Sequence, residues 1–353
     1  MGPLGPPAGC SSGEWVAYSR PNRADGAGRC GVSAPAPLFA PSAPPGRLPA
    51  VPFDPVCAMA YYLEAILLGI LQGIAEFLPI SSDGHLVVFG NWLGRLLGTG
   101  ESLNPEQNGR LLLLVIVLHL GSLATLVVVY WRDLWALRHN PRLVGCLVLT
   151  TLVTAALALP FKKTLESMFD SPSIAALGWL ITAGFLLVAD RLRTTGQSLA
   201  EVTWKHAVCV GLLQALAPVP GISRSGTTIT AGLLSGLGRE GATKYSFLVA
   251  IPAICGAAFL EIVKPLISLA RGTPAAQAFP GVDLSVVGLL PLLVGAVVSF
   301  LVGLVALRWL VAFIVKRGMK WFVIYLVVMA LFVLAVEWAR IPGLVPAPAV
   351  GAN

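Results

Sequence analysis

Gln72, Glu76, Ser81, Ser82, Asp83 and His85 crowd into one stretch, Gly69 to His85 (GILQGIAEFLPISSDGH), that is otherwise apolar. Gln72 and Glu76 are four apart and so share one face of a helix. An ionisable group such as Glu76 in the run IAEFLPI is costly inside a membrane, and such groups mostly face a cavity or pathway. The plainer reading is a carboxylate paired with a helix end or a basic residue. Ser81, Ser82 or Asp83 can cap the helix that follows, and for Ser81 capping is the favoured reading. A hydroxyl beside a histidine and a carboxylate is also a nucleophile–base–orienter set. That gives Ser82, His85 and Glu76 catalytic roles. His85 taken alone would equally suit a satisfied buried histidine.

A second stretch, Gly211 to Thr227 (GLLQALAPVPGISRSGT), aligns with the first without a gap. Gly69 meets Gly211, Gln72 meets Gln214, Ser81 meets Ser223 and Gly84 meets Gly226. The ionisable positions differ: Glu76 meets Pro218, Ser82 meets Arg224 and His85 meets Thr227. The second loop reads as an anion cradle, with Ser223, Arg224, Ser225, Gly226, Thr227 and Thr228 as its phosphate-binding residues. Glycine lets backbone N–H groups approach a ligand, a helix N-terminus follows, and the Arg224 guanidinium is a fork for phosphate oxygens. The plainer reading is a polar broken helix lining a channel. An acid, a histidine and a hydroxyl facing such a cradle suggest phosphoryl transfer. Glu76, with Gln72, is also a candidate ligand set for Mg2+ or Ca2+, which take oxygen ligands and bridge phosphates. His119, in VLHLGSLATLVV, reads as a packed polar contact in preference to a cavity residue.

The elements that must position these groups are membrane helices. The chain is 56% hydrophobic and only 12% charged, and its mean hydropathy is +0.81; a soluble domain is about 25% charged. The formal charge of +7 suits basic cytoplasmic loops, and no basic patch alternates with aromatics as a nucleic-acid surface would. The six cysteines form no CxxC pair, so neither a zinc site nor a disulfide scaffold is indicated.

Apolar segments at about 61–78 and 82–97 are split by Pro79 and the Ser-Ser-Asp-Gly run, which predicts a re-entrant hairpin. Spans follow at about 110–131, 142–160 and 173–190. The pattern then repeats, with short segments at about 203–217 and 224–237 and spans at about 244–266, 284–309 and 321–339. The expected fold is therefore all-α and polytopic, with a first repeat over 58–191 and a second over 202–342. Three spans per half are odd, so the second half starts on the opposite side and the repeat is inverted. Broken helices at matching positions of inverted halves point to a midplane site.

Loops after the third, fifth, seventh and ninth segments carry eleven Lys and Arg residues, Arg132, Arg138, Arg142 and Arg191 among them, against seven on the other face, Lys162 among them. The richer face is expected in the cytoplasm, and the hairpin mouth outside. Trp131, Trp135, Trp321, Tyr325 and Trp338 read as interfacial anchors. Residues 1–57 are Pro/Gly/Ala-rich, lack any helical or strand period and read as disordered; 343–353 form a short tail. Met59 stands just before the first membrane segment. A natural start there is one expectation, and a native peptide from residues 1–57 would exclude it.

The two loops resemble the signatures of the undecaprenyl-diphosphate phosphatase family of the bacitracin-resistance type. QGIAEFLPISSDGHL is similar to its [E/Q]xxxE and Pro-x-Ser-Ser-x-Gly-His motif, and PGISRSGTTI to its PGxSRSG motif. YSFLVAIPAICGA, Tyr245 to Ala257, is similar to the segment that follows. The resemblance runs from about Tyr61 to Ile341. It implies removal of the terminal phosphate of a C55 isoprenoid diphosphate, in the bacterial inner membrane, with a divalent cation and an outward-opening cleft. It implies the acidic motif at Gln72 and Glu76, the nucleophile or substrate-binding serine at Ser82, the catalytic histidine at His85 and the phosphate-binding arginine at Arg224. The family often has Tyr-Arg where this chain has Tyr325-Leu326, so a basic role at that position is not carried over, while the main site is unaffected. The implied partners are the lipid diphosphate and membrane lipid, with room for a homodimer. The rival reading is a transporter or flippase of an isoprenoid lipid phosphate, since broken helices in inverted repeats are also transporter architecture. The Glu–Ser–His set separates the two, because a carrier needs no nucleophile.

Overall fold

In the computed structural model the described residues are 55–97, 109–192, 195–272 and 289–339. The expected extension before Pro55 and the tail lie outside them, as do Arg193 and Arg340. Helix α1 (Pro55–Ala75) starts several residues before the expected segment, with Pro55 at its first position, where the missing N–H would be unpaired anyway. It stops before Pro79, and α2 (Ser82–Leu97) begins after a turn. Then come α3 (Gly109–Val129), α4 (Trp131–Leu137), α5 (Pro141–Ala158), α6 (Lys162–Ser167) and α7 (Pro172–Arg191). The second half is α8 (Trp204–Gln214), α9 (Arg224–Leu234), α10 (Arg239–Ala270), α11 (Leu289–Arg317) and α12 (Lys320–Ala339). No strand forms among the described residues, only one isolated bridge between Gln197 and Leu237.

Among the described residues five helical stretches are long and apolar enough to cross a membrane, or six when the bent pair α3–α4 is counted as one span. The protein is thus a multi-pass membrane protein of helices. The segment holding Arg132 and Asp133, expected as a loop, is helix α4, set 73° from α3. Arg138 stacks 4.1 Å over the exposed Trp135. Local chemistry sets several helix starts. Asn140 accepts from Leu143 N ahead of Pro141, and Ser171 accepts from Ile174 N ahead of Pro172.

Helix α1 lies against α11, and α5 lies against α8. Under the repeat expected from sequence α1 would correspond to α8 and α5 to α11, and the two packings would then be the same pairing seen from each half. Helices α7 and α12, the last of each half, pack together. Small residues let α1 and α3 reach the α11 backbone: a Cβ on Gly73 would lie 2.7 Å from Ser299 O, and one on Gly121 2.4 Å from Ala296 O. The two broken hairpins meet back to back. A Cβ on Gly84 would lie 2.8 Å from Gly221 Cα, and Gly221 adopts φ +88°, open to glycine at no steric cost.

Candidate active site

Glu76 is the first residue past α1, and its N–H still bonds Gln72 O at 3.0 Å. The helical spacing read from sequence therefore holds across the break. Gln72 Nε2 donates to Glu76 Oε2 at 3.0 Å and approaches Ser122 Oγ at 3.3 Å. Ser82 Oγ donates to the same carboxylate oxygen at 2.7 Å. Arg224 Nη2 donates to the other oxygen, Glu76 Oε1, also at 2.7 Å. The acid of one half, the hydroxyl beside it and the arginine of the other half thus form one connected group. They line a cavity of about 640 Å³ whose walls are mostly apolar.

Both motif serines at the helix starts act as caps. Ser81 Oγ accepts from Gly84 N at 3.2 Å, and Ser223 Oγ accepts from Gly226 N at 3.1 Å. Ser81 takes φ +68°, the left-handed region, which a non-glycine residue adopts at a steric cost. That turn presents Ser82 to Glu76 instead of continuing the helix.

Two expected site groups are placed elsewhere. His85 is buried behind the loop: Nδ1 bonds Ser81 O and Nε2 bonds Tyr325 Oη, each at 2.7 Å. Its ring stacks on Phe89 and Tyr325 and tilts against Trp179. Both ring nitrogens are engaged and His85 does not line the cavity. Tyr325, expected as an interfacial anchor, is instead the partner that pins it. In the cradle only Ile222, Ser223 and Arg224 reach the cavity. Ser225 donates to Leu78 O, Thr227 and Thr228 donate to Arg224 O, and Gly226 N is spent on the Ser223 cap. Their hydroxyls satisfy buried backbone, as polar groups inside a membrane protein must.

The histidine at the carboxylates is His119. Its Nδ1 donates to Val115 O at 2.8 Å, so Nε2 is the nitrogen presented to the cavity, 3.5 Å from both Glu76 Oε2 and Asp83 Oδ1. The sequence signal for it was weak, one polar residue in an apolar helix with no motif around it. Asp83, considered only as a cap, also lines the cavity. Arg224 Nη1 is buried and has no hydrogen-bond partner among the described residues, and neither has Gln72 Oε1. The first is a donor that an anion could engage and the second an acceptor that a cation or donor could engage.

The model of the family described as "Bacitracin resistance protein BacA" matches residues 65–332. The chain belongs to that family. BacA relatives that it resembles include proteins named undecaprenyl-diphosphatase. One from Desulfatibacillum aliphaticivorans is 37% identical, over 75% of this chain and 95% of the relative. One from Rhodopirellula baltica is 38% identical over 75% and 93%, and one from Carboxydothermus hydrogenoformans 34% over 78% and 97%. The BacA match takes in both half-helix loops, and with them every group of the Glu76–Ser82–Arg224 cluster.

Proposed function

We propose that this protein hydrolyses undecaprenyl diphosphate to undecaprenyl phosphate and inorganic phosphate, returning the lipid carrier to cell-wall synthesis and giving resistance to bacitracin. One observation carries the reading: a serine hydroxyl, its carboxylate acceptor and an arginine with a spare buried N–H meet in an apolar-walled cavity. A carrier would use the arginine and the apolar wall. It would have no use for a hydroxyl held at 2.7 Å from a carboxylate.

In this reading the terminal phosphate binds Arg224 Nη1 and draws the guanidinium from Glu76. Glu76 is then free to take the Ser82 proton as Oγ attacks the terminal phosphorus. The Oγ–P bond forms, the bridging P–O bond breaks, and undecaprenyl phosphate leaves. Water then cleaves the seryl phosphate. Arg224 and the α9 N-terminus stabilise charge on the transferring group. His119, beside both carboxylates, serves the proton transfers, while His85 and Tyr325 hold the Ser81–Ser82 turn.

The residues fit a divalent cation. Among the described residues Gln72 Oε1, next to Glu76, has no hydrogen-bond partner, and Asp83 adds a second carboxylate to the cavity. Among the described residues no three His, Cys, Asp or Glu side chains form a ready cage. That suits Mg2+, bound by one or two carboxylates with phosphate and water completing its shell, or Ca2+. The cation would neutralise phosphate charge. We place the protein in the bacterial cytoplasmic membrane with its halves inverted and the cavity open outward, as the eleven-to-seven basic bias supports.

The test is phosphate release from undecaprenyl diphosphate in detergent by wild type and Ser82→Ala, with and without EDTA. Release that needs a divalent cation and Ser82, with 32P retained on Ser82 in rapid quench, supports the reading. A folded, metal-loaded wild type that releases nothing shifts the assignment to lipid transport.

A further inference from the structure

Among the described residues, two side chains lining the cavity carry a permanent positive charge. One is Arg224 at the reaction centre. The other, Lys162, has no part in the chemistry above. Helix α5 contributes Thr151 and Thr154 to the wall and leads through the turn Leu159–Phe161 into α6, which opens on Lys162. At 1.5 Å a residue, Lys162 stands on the order of 12 Å further along than Thr154. On the facing wall α10 contributes Ala253 and then Glu261, displaced along that helix by about the same 12 Å. The two helices carry Lys162 and Glu261 to the same level, and there their side chains form an ion pair. Glu166, one turn on along α6, lies 3.3 Å from the same ammonium. All three side chains are about one-third exposed, whereas Glu76 and Arg224 are far more buried. We read this more exposed end of the lining as the cavity mouth. The residues around it, Leu159, Leu165, Phe169, Phe259 and Leu260, are apolar.

We propose that Lys162 is a second substrate-binding cation, which meets the diphosphate of the incoming lipid at the mouth, and that this diphosphate replaces Glu261 as its partner. The inference rests on the lipid-diphosphate reading of the cavity. A part-exposed ion pair adds little to stability, so a clamp is a weak reason for one here. Two carboxylates share the one ammonium, so an anionic headgroup has to compete with them for the lysine. A lysine suits the task, being a mobile point charge on a flexible stem and not a fixed fork. The apolar surround would take the first isoprene units while the headgroup moves inward to Arg224.

The two partners make opposite predictions. If Lys162 binds substrate, Glu261 competes for it. Lys162→Met then raises KM for undecaprenyl diphosphate about fivefold, Lys162→Arg, which keeps the charge but not the mobile ammonium, raises it less, and Glu261→Gln lowers KM. If the pair is only a clamp, Lys162→Met and Glu261→Gln shift KM and melting temperature in the same direction. KM, kcat and melting are measured on the full chain in detergent micelles. Shifts in KM of the same sign, or no shift in Lys162→Met, overturn the inference. A wild type without turnover counts against the phosphatase reading alone. The lysine is then judged by binding of a prenyl methylenediphosphonate, expected about fivefold weaker in Lys162→Met; equal binding overturns it.

Discussion

Arg224 Nη2 lies 2.7 Å from Glu76 Oε1, joining side chains 148 positions apart at the breaks of two different helix pairs. Arg224 occupies Oε1, while Ser82, Gln72 and His119 gather at Oε2. Glu76 is 7% exposed and the Arg224 side chain 15%. The pair therefore ties the two helix breaks together across the cavity wall.

Replacing Arg224 by alanine should lower phosphate release at least about 1,000-fold, the scale of an arginine acting on a transferring phosphoryl group. It should also destabilise the protein by up to about 3–5 kcal/mol, because Glu76 Oε1 loses its arginine and only Ser82, Gln72 and His119 at Oε2 remain to offset the buried charge. Adding Glu76→Gln should restore most of the melting temperature and none of the activity. Melting in detergent and phosphate release check both halves. An Arg224→Ala protein with near wild-type turnover would refute the assigned role.

His119 and His85 give a second contrast. His119→Gln should reduce kcat by about 100-fold, the usual worth of a positioned acid–base group. Tyr325→Phe removes one hydrogen bond from His85 and should cost about 1 kcal/mol of stability with only a small change in kcat. Steady-state kinetics and melting on both variants rank them. The reverse order would return the proton-handling role to His85.

Much of this was legible in sequence. The alignment of GILQGIAEFLPISSDGH with GLLQALAPVPGISRSGT located both helix breaks, because proline and glycine interrupt an apolar run wherever the backbone must stop being helical. The i,i+4 spacing of Gln72 and Glu76 survived intact. Side-chain direction was not legible. His85, three residues past Ser82, turns into the α7–α12 wall because its helix buries that face on Trp179 and Tyr325. Thr227 and Thr228 looked like phosphate donors, but a membrane interior gives them no water and they bond the backbone one turn earlier. His119 came from a helix with no motif, and only tertiary packing brings it to Glu76.

Gln72→Glu tests the cation. The change sets two buried carboxylates one turn apart, so without metal the protein should melt lower than wild type. Added Mg2+ should recover the loss, and half-maximal activation should need about tenfold less metal, since ligand charge count tunes divalent affinity. Melting and activity across a Mg2+ series after EDTA treatment give both quantities. An unchanged metal response would remove Gln72 and Glu76 from the cation site.

Gly221→Ala tests whether the back-to-back contact of the two loops holds the site together. A Cβ at Gly221 would lie 2.0 Å from Ala175 O, and the residue sits at φ +88°. Left-handed strain and overpacking add, for about 3–5 kcal/mol. The added carbon also presses on α7 at Gly178, where Thr182 bonds Gly221 O at 2.8 Å and Ser223 N at 2.9 Å. Loss of those bonds releases the Ser223 cap and with it Arg224, so activity should fall further than stability alone explains. Gly145→Ala is the matched control. It sits within α5 with nothing within 4 Å of a built Cβ, and should gain up to about 1 kcal/mol from helix propensity. Thermal melting and phosphate release on the two variants separate the cases. A Gly221→Ala protein that melts and turns over like wild type would mean the loops do not depend on this contact for their registration.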